Sequence, residues 1–309
     1  MSNIIEQFSI VLVRTSAPMI FAAIGELITE RAGILNLGCD GIILASAAIA
    51  SLIVIATGNY ALAFVGAIIT GVILGALLAY FAIDKKANQT ITGLIMNFLT
   101  YGLAIILYRL MAELSGTFIY FKVLGSVSIP ILSDIPYIGK VFFNQPFTVY
   151  MALLIIPLMY FLINYTRVGL YLRAVGHSAR VSDYLGINVR KIRYLATLVG
   201  TSLLGISGAH LALVEFGSFN EQMTGGIGWL GILSVILGGW KPIGVTLATL
   251  FFNGVRNLAI YLTIIIKLPS QVILMLPFIV TLIVMGFASK RFAEAPADLA
   301  VPYIKREKL

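Results

Sequence analysis

The sequence predicts an all-α fold, a polytopic transmembrane helical bundle. Three observations carry that prediction. Hydrophobic residues make up 60% of the 309 and charged residues only 11%, against about 25% charged in a soluble domain. Apolar runs recur at 7–28, 41–57, 60–83, 93–112, 147–164, 194–215, 227–239, 243–264 and 270–287, and most are long enough to cross a hydrocarbon core of about 30 Å. The alternating pattern of a membrane barrel is absent, so helices are what satisfies the backbone in lipid. This gives about 9–10 membrane segments, broken or re-entrant helices included, in one transmembrane domain over 1–309.

The first run has no basic n-region and no small-residue cleavage site, and reads as a retained helix with Arg14 snorkelling near its end. The cluster GELITERAGILNLGCDG, Gly25 to Gly41, follows. Glu26, Glu30, Arg31, Asn36 and Asp40 are costly at membrane depth and are expected to face protein or water. The spacing from Glu26 to Glu30 puts both on one helix face. Gly33, Gly38 and Gly41 permit a broken helix whose N-terminus aims its amides at a ligand; the alternative is a polar membrane-edge loop closed by one Glu–Arg pair. Gly71, Gly75 and Ala79, and later Gly200, Gly205 and Gly208, are small residues at helical spacing and allow close helix approach. The connection 113–146, with Pro130, Pro136 and Pro146, is too long for a tight turn and is expected to cap one face. The run 227–239 is too short to span easily and predicts a broken or tilted helix. Gly226, Gly228 and Gly231 there spell GxGxxG, but no strand precedes and no acid follows at the dinucleotide distance, so they serve packing or a break. Two interrupted segments in corresponding halves point to a central binding site.

Charge sets the expected sidedness. Tyr165 to Arg193 holds Arg167, Arg173, Arg180, Arg190, Lys191 and Arg193 against the acid Asp183, which marks the segment 166–193 as cytoplasmic. Within it Leu170 to Leu185 predicts one short surface helix with breaks at Gly176 and Gly186, either an interfacial helix or one that docks on a cytoplasmic motor. The turns at Lys85–Lys86 and Lys241, and a tail with Lys290, Arg291, Lys305, Arg306 and Lys308, fall on the same side. The 113–146 connection, the cation-free loop around Glu215 and Glu221, and Lys267 fall outside. The N-terminus is outside if 34–57 spans once and inside if that stretch is two half-helices; the crowding of Asn36, Gly38, Asp40 and Gly41 favours the second. Cations beside spans rather than in one patch point to membrane lipid, not nucleic acid, as the surroundings. The single cysteine, Cys39, excludes an intrachain disulfide and a multi-cysteine metal site. The sequence shows no catalytic set, metal site, cofactor motif or Walker loop, so an ATP-driven process needs its ATPase on another chain. His177 reads as a surface residue. His210, five residues before Glu215, reads as a packing histidine or a pathway residue. Asn97 and Asn253 hydrogen-bond either between helices or to a solute.

ERAGILNLGCDGIIL (30–44), GLYLRAVGHSARVSDYLGINVRKIRYLA (169–196) and GWLGILSVILGGWKPIG (228–244) resemble the permease subunits of ATP-binding-cassette importers for nucleosides, simple sugars and branched-chain amino acids. The resemblance covers nearly the whole chain, and order and spacing fit. The first stretch looks most like the nucleoside-type branch, although Cys39 replaces an expected small apolar residue and Asp40 a frequent Glu. The resemblance implies a multi-pass inner-membrane permease partnered by cytoplasmic ATPase subunits, a second permease (identical or related) and an extracellular solute-binding protein. It implies ATPase coupling through Ala179 to Asn188, with Arg173, Gly176, Arg180, Asp183, Tyr184, Leu185 and Gly186 as coupling residues. Val181 and Ser182 stand where paired small residues are usual, and Tyr184 and Leu185 are bulkier than expected. A mostly neutral pathway is expected, since few charges lie at depth, with Asn36, Asp40, Asn97, Trp229 and Asn253 in its wall. A simple sugar or a branched-chain amino acid is the alternative solute. An ion-gradient-driven secondary transporter using Glu26, Asp40 and Glu215 is the alternative of another class.

Overall fold

The computed structural model describes residues 2–115, 120–266 and 295–304, with scattered positions between 275 and 286. The run at 270–287, Lys267 and the tail cations Lys290, Arg291, Lys305, Arg306 and Lys308 lie outside the described residues or in that scattered part. Long helices are α1 (Ser2–Arg31), α2 (Cys39–Thr57), α3 (Tyr60–Ala79), α4 (Gln89–Ser115), α6 (Phe147–Tyr165), α9 (Val189–His210) and α11 (Pro242–Ile266). With the wider turns that extend α3 through Asp84 and α9 through Phe216, these give seven helices long and apolar enough to cross a membrane among the described residues. Short helices are α5 (Ile138–Phe142), α7 (Arg167–His177), α8 (Ala179–Tyr184) and α10 (Ile227–Leu237). A two-residue ladder, β1 (Val127–Ser128) with β2 (Asn144–Gln145), staples the 113–146 connection.

Helix boundaries follow from local chemistry. Gly58, with φ of 67°, closes α2, and Asn59 Oδ1 accepts the Leu62 amide to open α3 one residue later. Thr166, Ser178 and Asn188 each accept a backbone amide three residues on, from Gly169, Val181 and Lys191. Each such cap stabilises its helix by about 1 kcal/mol, and together they cut the basic segment into α7, α8 and α9. The single helix expected over Leu170–Leu185 is therefore two, broken at Ser178. Gly176 is inside α7, where a Cβ would strike the Arg31 carbonyl. α9 begins at Val189, so the end of the 166–193 segment is already helix.

The centre of the bundle is α9. Gly200 meets Gly25 of α1, Gly205 meets Ala67 of α3, and Gly208 meets Ile43 of α2, each close enough that a side chain would collide with backbone. From α3, Gly71 and Gly75 pack on Thr201. Small residues let three helices touch α9 at backbone distance, where lipid supplies no hydrophobic drive between them. Around this centre, α3, α4, α6 and α11 turn large apolar residues outward, among them Ile69, Ile73, Ile95, Phe98, Leu154 and Leu247.

Two faces are distinguishable. On one, the Arg31 end of α1, the Lys85–Lys86 turn, α7–α8, Lys241 and residues 295–304 gather; Arg31 Nε donates to the Trp240 carbonyl at 2.7 Å and Arg190 pairs with Asp84 at 2.6 Å. On the other, Lys140 pairs with Glu6 at 2.9 Å, Arg14 donates to Ser126 and Gln145, and the Phe121 amide donates to the Gly217 carbonyl. The start of α1 thus lies against the 113–146 connection, opposite α7–α8. This corrects the preferred reading of 34–57 as two half-helices, and it puts the N-terminal end of α1 on the face opposite α7–α8. Residues 32–38 are non-helical and α2 is one uninterrupted helix, because its single glycine, Gly41, lies in the first turn and the rest is an apolar run with no further glycine and no proline.

Candidate solute site and docking face

Two helix N-termini meet inside the bundle. The non-helical stretch 32–38 climbs from the basic face into the interior, and α2 starts there; α10 also starts there and runs back towards Trp240. A Cβ on Gly228 would lie 2.5 Å from the Asp40 amide nitrogen, so only glycine lets the two starts approach. Asp40, buried, ties them: Oδ1 accepts the Gly228 amide at 2.9 Å and Oδ2 accepts the Thr224 hydroxyl at 2.9 Å. Its carboxylate sits at the positive end of the α10 dipole. Asn97 of α4 caps the other start, its Oδ1 accepting the Gly41 amide at 2.7 Å. Asn36 Oδ1 accepts the Gly38 amide at 3.0 Å while its Nδ2 donates to Glu26 at 2.8 Å. Asn36, Asp40 and Asn97 therefore form one polar node.

Trp229, half-buried, follows Gly228 on α10 and packs against the α2–α10 core beside the node. Asn253 is elsewhere: its Nδ2 donates to the Leu12 carbonyl and to the Thr15 and Ser16 hydroxyls, and with Asn257 it makes a polar seam between α11 and α1. The same neutral-donor pattern holds the other buried acids. Glu26 also accepts the Thr29 hydroxyl, and Glu30 accepts the Trp240 indole N–H at 2.6 Å. His210 shares a 2.7 Å hydrogen bond with Thr148, and its other ring nitrogen lies 3.4 Å from Glu215. That five-residue spacing closes because Leu211–Phe216 is wound with i→i+5 turns.

Sequence reasoning missed Arg256. It lies inside α11, half-buried, in the electrostatic field of Glu215 and Asp40, and its Nη2 would be 2.9 Å from a Cβ on Gly225 in the loop that leads to α10. The signal was present as a lone arginine within the apolar run 243–264. Against the expectation of few charges at depth, the carboxylates of Glu26, Glu30 and Asp40 and the guanidinium of Arg193 are buried in the bundle, and Arg256 is half-buried.

On the basic face, Tyr184 and Leu185 at the end of α8 are about three-quarters exposed, with Val181 beside them, while Ala179 and Ser182 turn inward. Arg173, Arg180 and Asp183 are on the same two helices, and Gly186, φ 83°, turns the chain towards α9. A groove of about 560 Å³ runs between Asp84, Lys86, Asp183, Asn188 and Tyr303. Tyr303 donates to Asp183, and partial burial with that carboxylate pushes its phenol up to about 12.

This architecture defines a class: a multi-pass helical membrane protein with a polar interior where two broken segments face each other. The chain belongs to the family described as branched-chain amino acid transport system / permease component, matched over residues 9–285. It is 30% identical to the guanosine ABC transporter permease protein NupQ of Bacillus subtilis, over 98% of this chain and 99% of that one. It is 32% identical to the nucleoside ABC transporter permease protein NupC of Lactococcus lactis subsp. cremoris, over 94% of each. It is 34% identical to the putative glucose ABC transporter permease protein TsgC13 of Haloferax volcanii, over 78% of this chain and 73% of that one. No solved structure matches.

Proposed function

We propose that this permease carries a nucleoside-like small polar solute across the inner membrane, powered by ATPase subunits on separate chains. The observation that carries the reading is the interior node: two helix starts capped by Asp40, Asn36 and Asn97, in the field of the Arg256 guanidinium, give a polar lining beside the half-buried indole of Trp229. A nucleoside presents a planar face for stacking and a polar edge for hydrogen bonds. Matches to two nucleoside permeases across nearly the full chain support the same choice. The match to a glucose permease favours a sugar as the second reading. In the proposed assembly a second permease completes the path, a solute-binding protein delivers from the side of the 113–146 connection, and the ATPases dock on α7–α8 at the cytoplasmic face. Closure of the motor moves the docking helices and opens the node to one side at a time. Asn36, Asp40, Asn97 and Trp229, with Arg256, border the path, and Asn253 braces it from the α1 seam.

The test is a binding screen of the cognate solute-binding protein against nucleosides, hexoses, pentoses and branched-chain amino acids, followed by uptake into vesicles holding the whole complex. Submicromolar nucleoside binding with ATP-dependent uptake is expected. Tight binding of glucose or an amino acid, without nucleoside binding, overturns the solute assignment.

A further inference from the structure

Arg193 is the largest fully buried side chain in the described structure, 1% exposed, at the first turns of α9. It holds two separate segments at once. Nε donates to the Ala32 carbonyl at 3.2 Å, and Nη1 donates to the Val301 carbonyl at 3.0 Å. A Cβ on Gly33 would lie 2.8 Å from Nη2. Nη2 itself is buried and has no hydrogen-bond partner among the described residues. Ala32 opens the non-helical stretch that leads, through Asn36 and Gly38, to the Asp40 node.

Residues 298–301 form a strap from this guanidinium to the basic face. The Ala300 amide donates to the Gly33 carbonyl at 3.2 Å, and the Asp298 amide donates to the Gly176 carbonyl at 3.0 Å. Asp298 Oδ2 accepts the Ala179 amide at 2.7 Å, at the first turn of α8. Gly176 of α7 is itself seated on the Arg31 carbonyl. So α7, α8, the strap and the break before α2 are joined by directional bonds, and the Arg193 side chain hydrogen-bonds to both strap and break.

We propose that Arg193 is a positioning residue that ties the α7–α8 docking element, through residues 298–301, to the break between α1 and α2, so that displacement of the docking helices is delivered to the Asp40 node. A non-helical segment has few backbone bonds of its own and transmits a push only through what grips it. The planar guanidinium grips two carbonyls in different directions with fixed geometry; an ammonium on a flexible stem does so less well. This inference rests on the proposed docking at α7–α8.

The experiment uses the complete transporter, permease with its ATPases and binding protein, in proteoliposomes. ATPase co-purification, ATP hydrolysis and solute uptake are measured together. Arg193→Gln is expected to assemble and to hydrolyse ATP at near wild-type rate while uptake per ATP falls about tenfold, and Arg193→Lys recovers part of that loss. An unchanged ratio of uptake to hydrolysis, or a proportional fall in both, overturns the linkage. Should Arg193→Gln not accumulate, Asp298→Ala cuts the strap at its α8 end; the ratio falls about threefold if the linkage holds and stays put if it does not. A parallel Tyr184→Asp arm separates the two ideas. Assembly unaffected there refutes docking at α8, whereas assembly lost there with normal coupling in Arg193→Gln refutes the linkage alone.

Discussion

Replacing Asp40 is the most direct probe of the node. Asp40→Ala removes the acceptor of the Gly228 amide, which is the cap of α10, and of the Thr224 hydroxyl, both at 2.9 Å and both buried. A lost cap costs about 1 kcal/mol, and a buried donor left without a partner costs about 1–3 kcal/mol. The expected destabilisation is therefore about 2–4 kcal/mol. Asp40→Asn keeps an acceptor for Gly228 and, by turning its amide, a donor to Thr224. It loses only the charge-assisted part, about 1 kcal/mol. The assay is unfolding of the purified chain in mixed micelles by increasing denaturing detergent, followed by tryptophan fluorescence. The chain has two tryptophans, Trp229 and Trp240; both are placed by α10, so the signal reports on the helix that Asp40 caps. Equal stability of Asp40→Ala and the native chain, within about 0.5 kcal/mol, would refute the capping argument. So would a larger loss in Asp40→Asn than in Asp40→Ala.

Three further outcomes are expected. Tyr184→Asp or Leu185→Asp should abolish co-purification of the ATPase subunits while leaving the unfolding profile unchanged, because both side chains are solvent-exposed and touch no core. Gly200→Val should destabilise by about 1–3 kcal/mol and lower the yield of folded chain, since its new methyls meet the Gly25 carbonyl and Thr29 across the α1–α9 contact; a folded yield and stability equal to the native chain would sink the backbone-contact argument. Arg256→Gln should reduce uptake about tenfold with assembly intact if the guanidinium borders the path; uptake at the native rate would remove Arg256 from the wall.

The sequence by itself determined the helical membrane fold, because long apolar runs and the absence of alternation leave no other way to satisfy a backbone in lipid. It also marked which glycines pack. Gly200, Gly205 and Gly208 at helical spacing signal close approach whatever the partner. The basic segment was legible as a surface element, and its capping residues Thr166, Ser178 and Asn188 were there to be read. Taking Gly176 as the break missed that a glycine can also be a contact, and only the Arg31 carbonyl facing it decides which. Pairings between distant positions were decided by tertiary structure alone. Asp40 with Gly228 and Arg193 with Ala32 and Val301 join residues far apart along the chain, and composition or spacing carries no trace of which polar groups will share a buried site. Arg256 shows the same limit: its charge is visible in the sequence, but its neighbours Gly225, Glu215 and Asp40 are brought to it by three different segments. A lone polar residue in an apolar run states that something must satisfy it; the packing of the whole bundle chooses what.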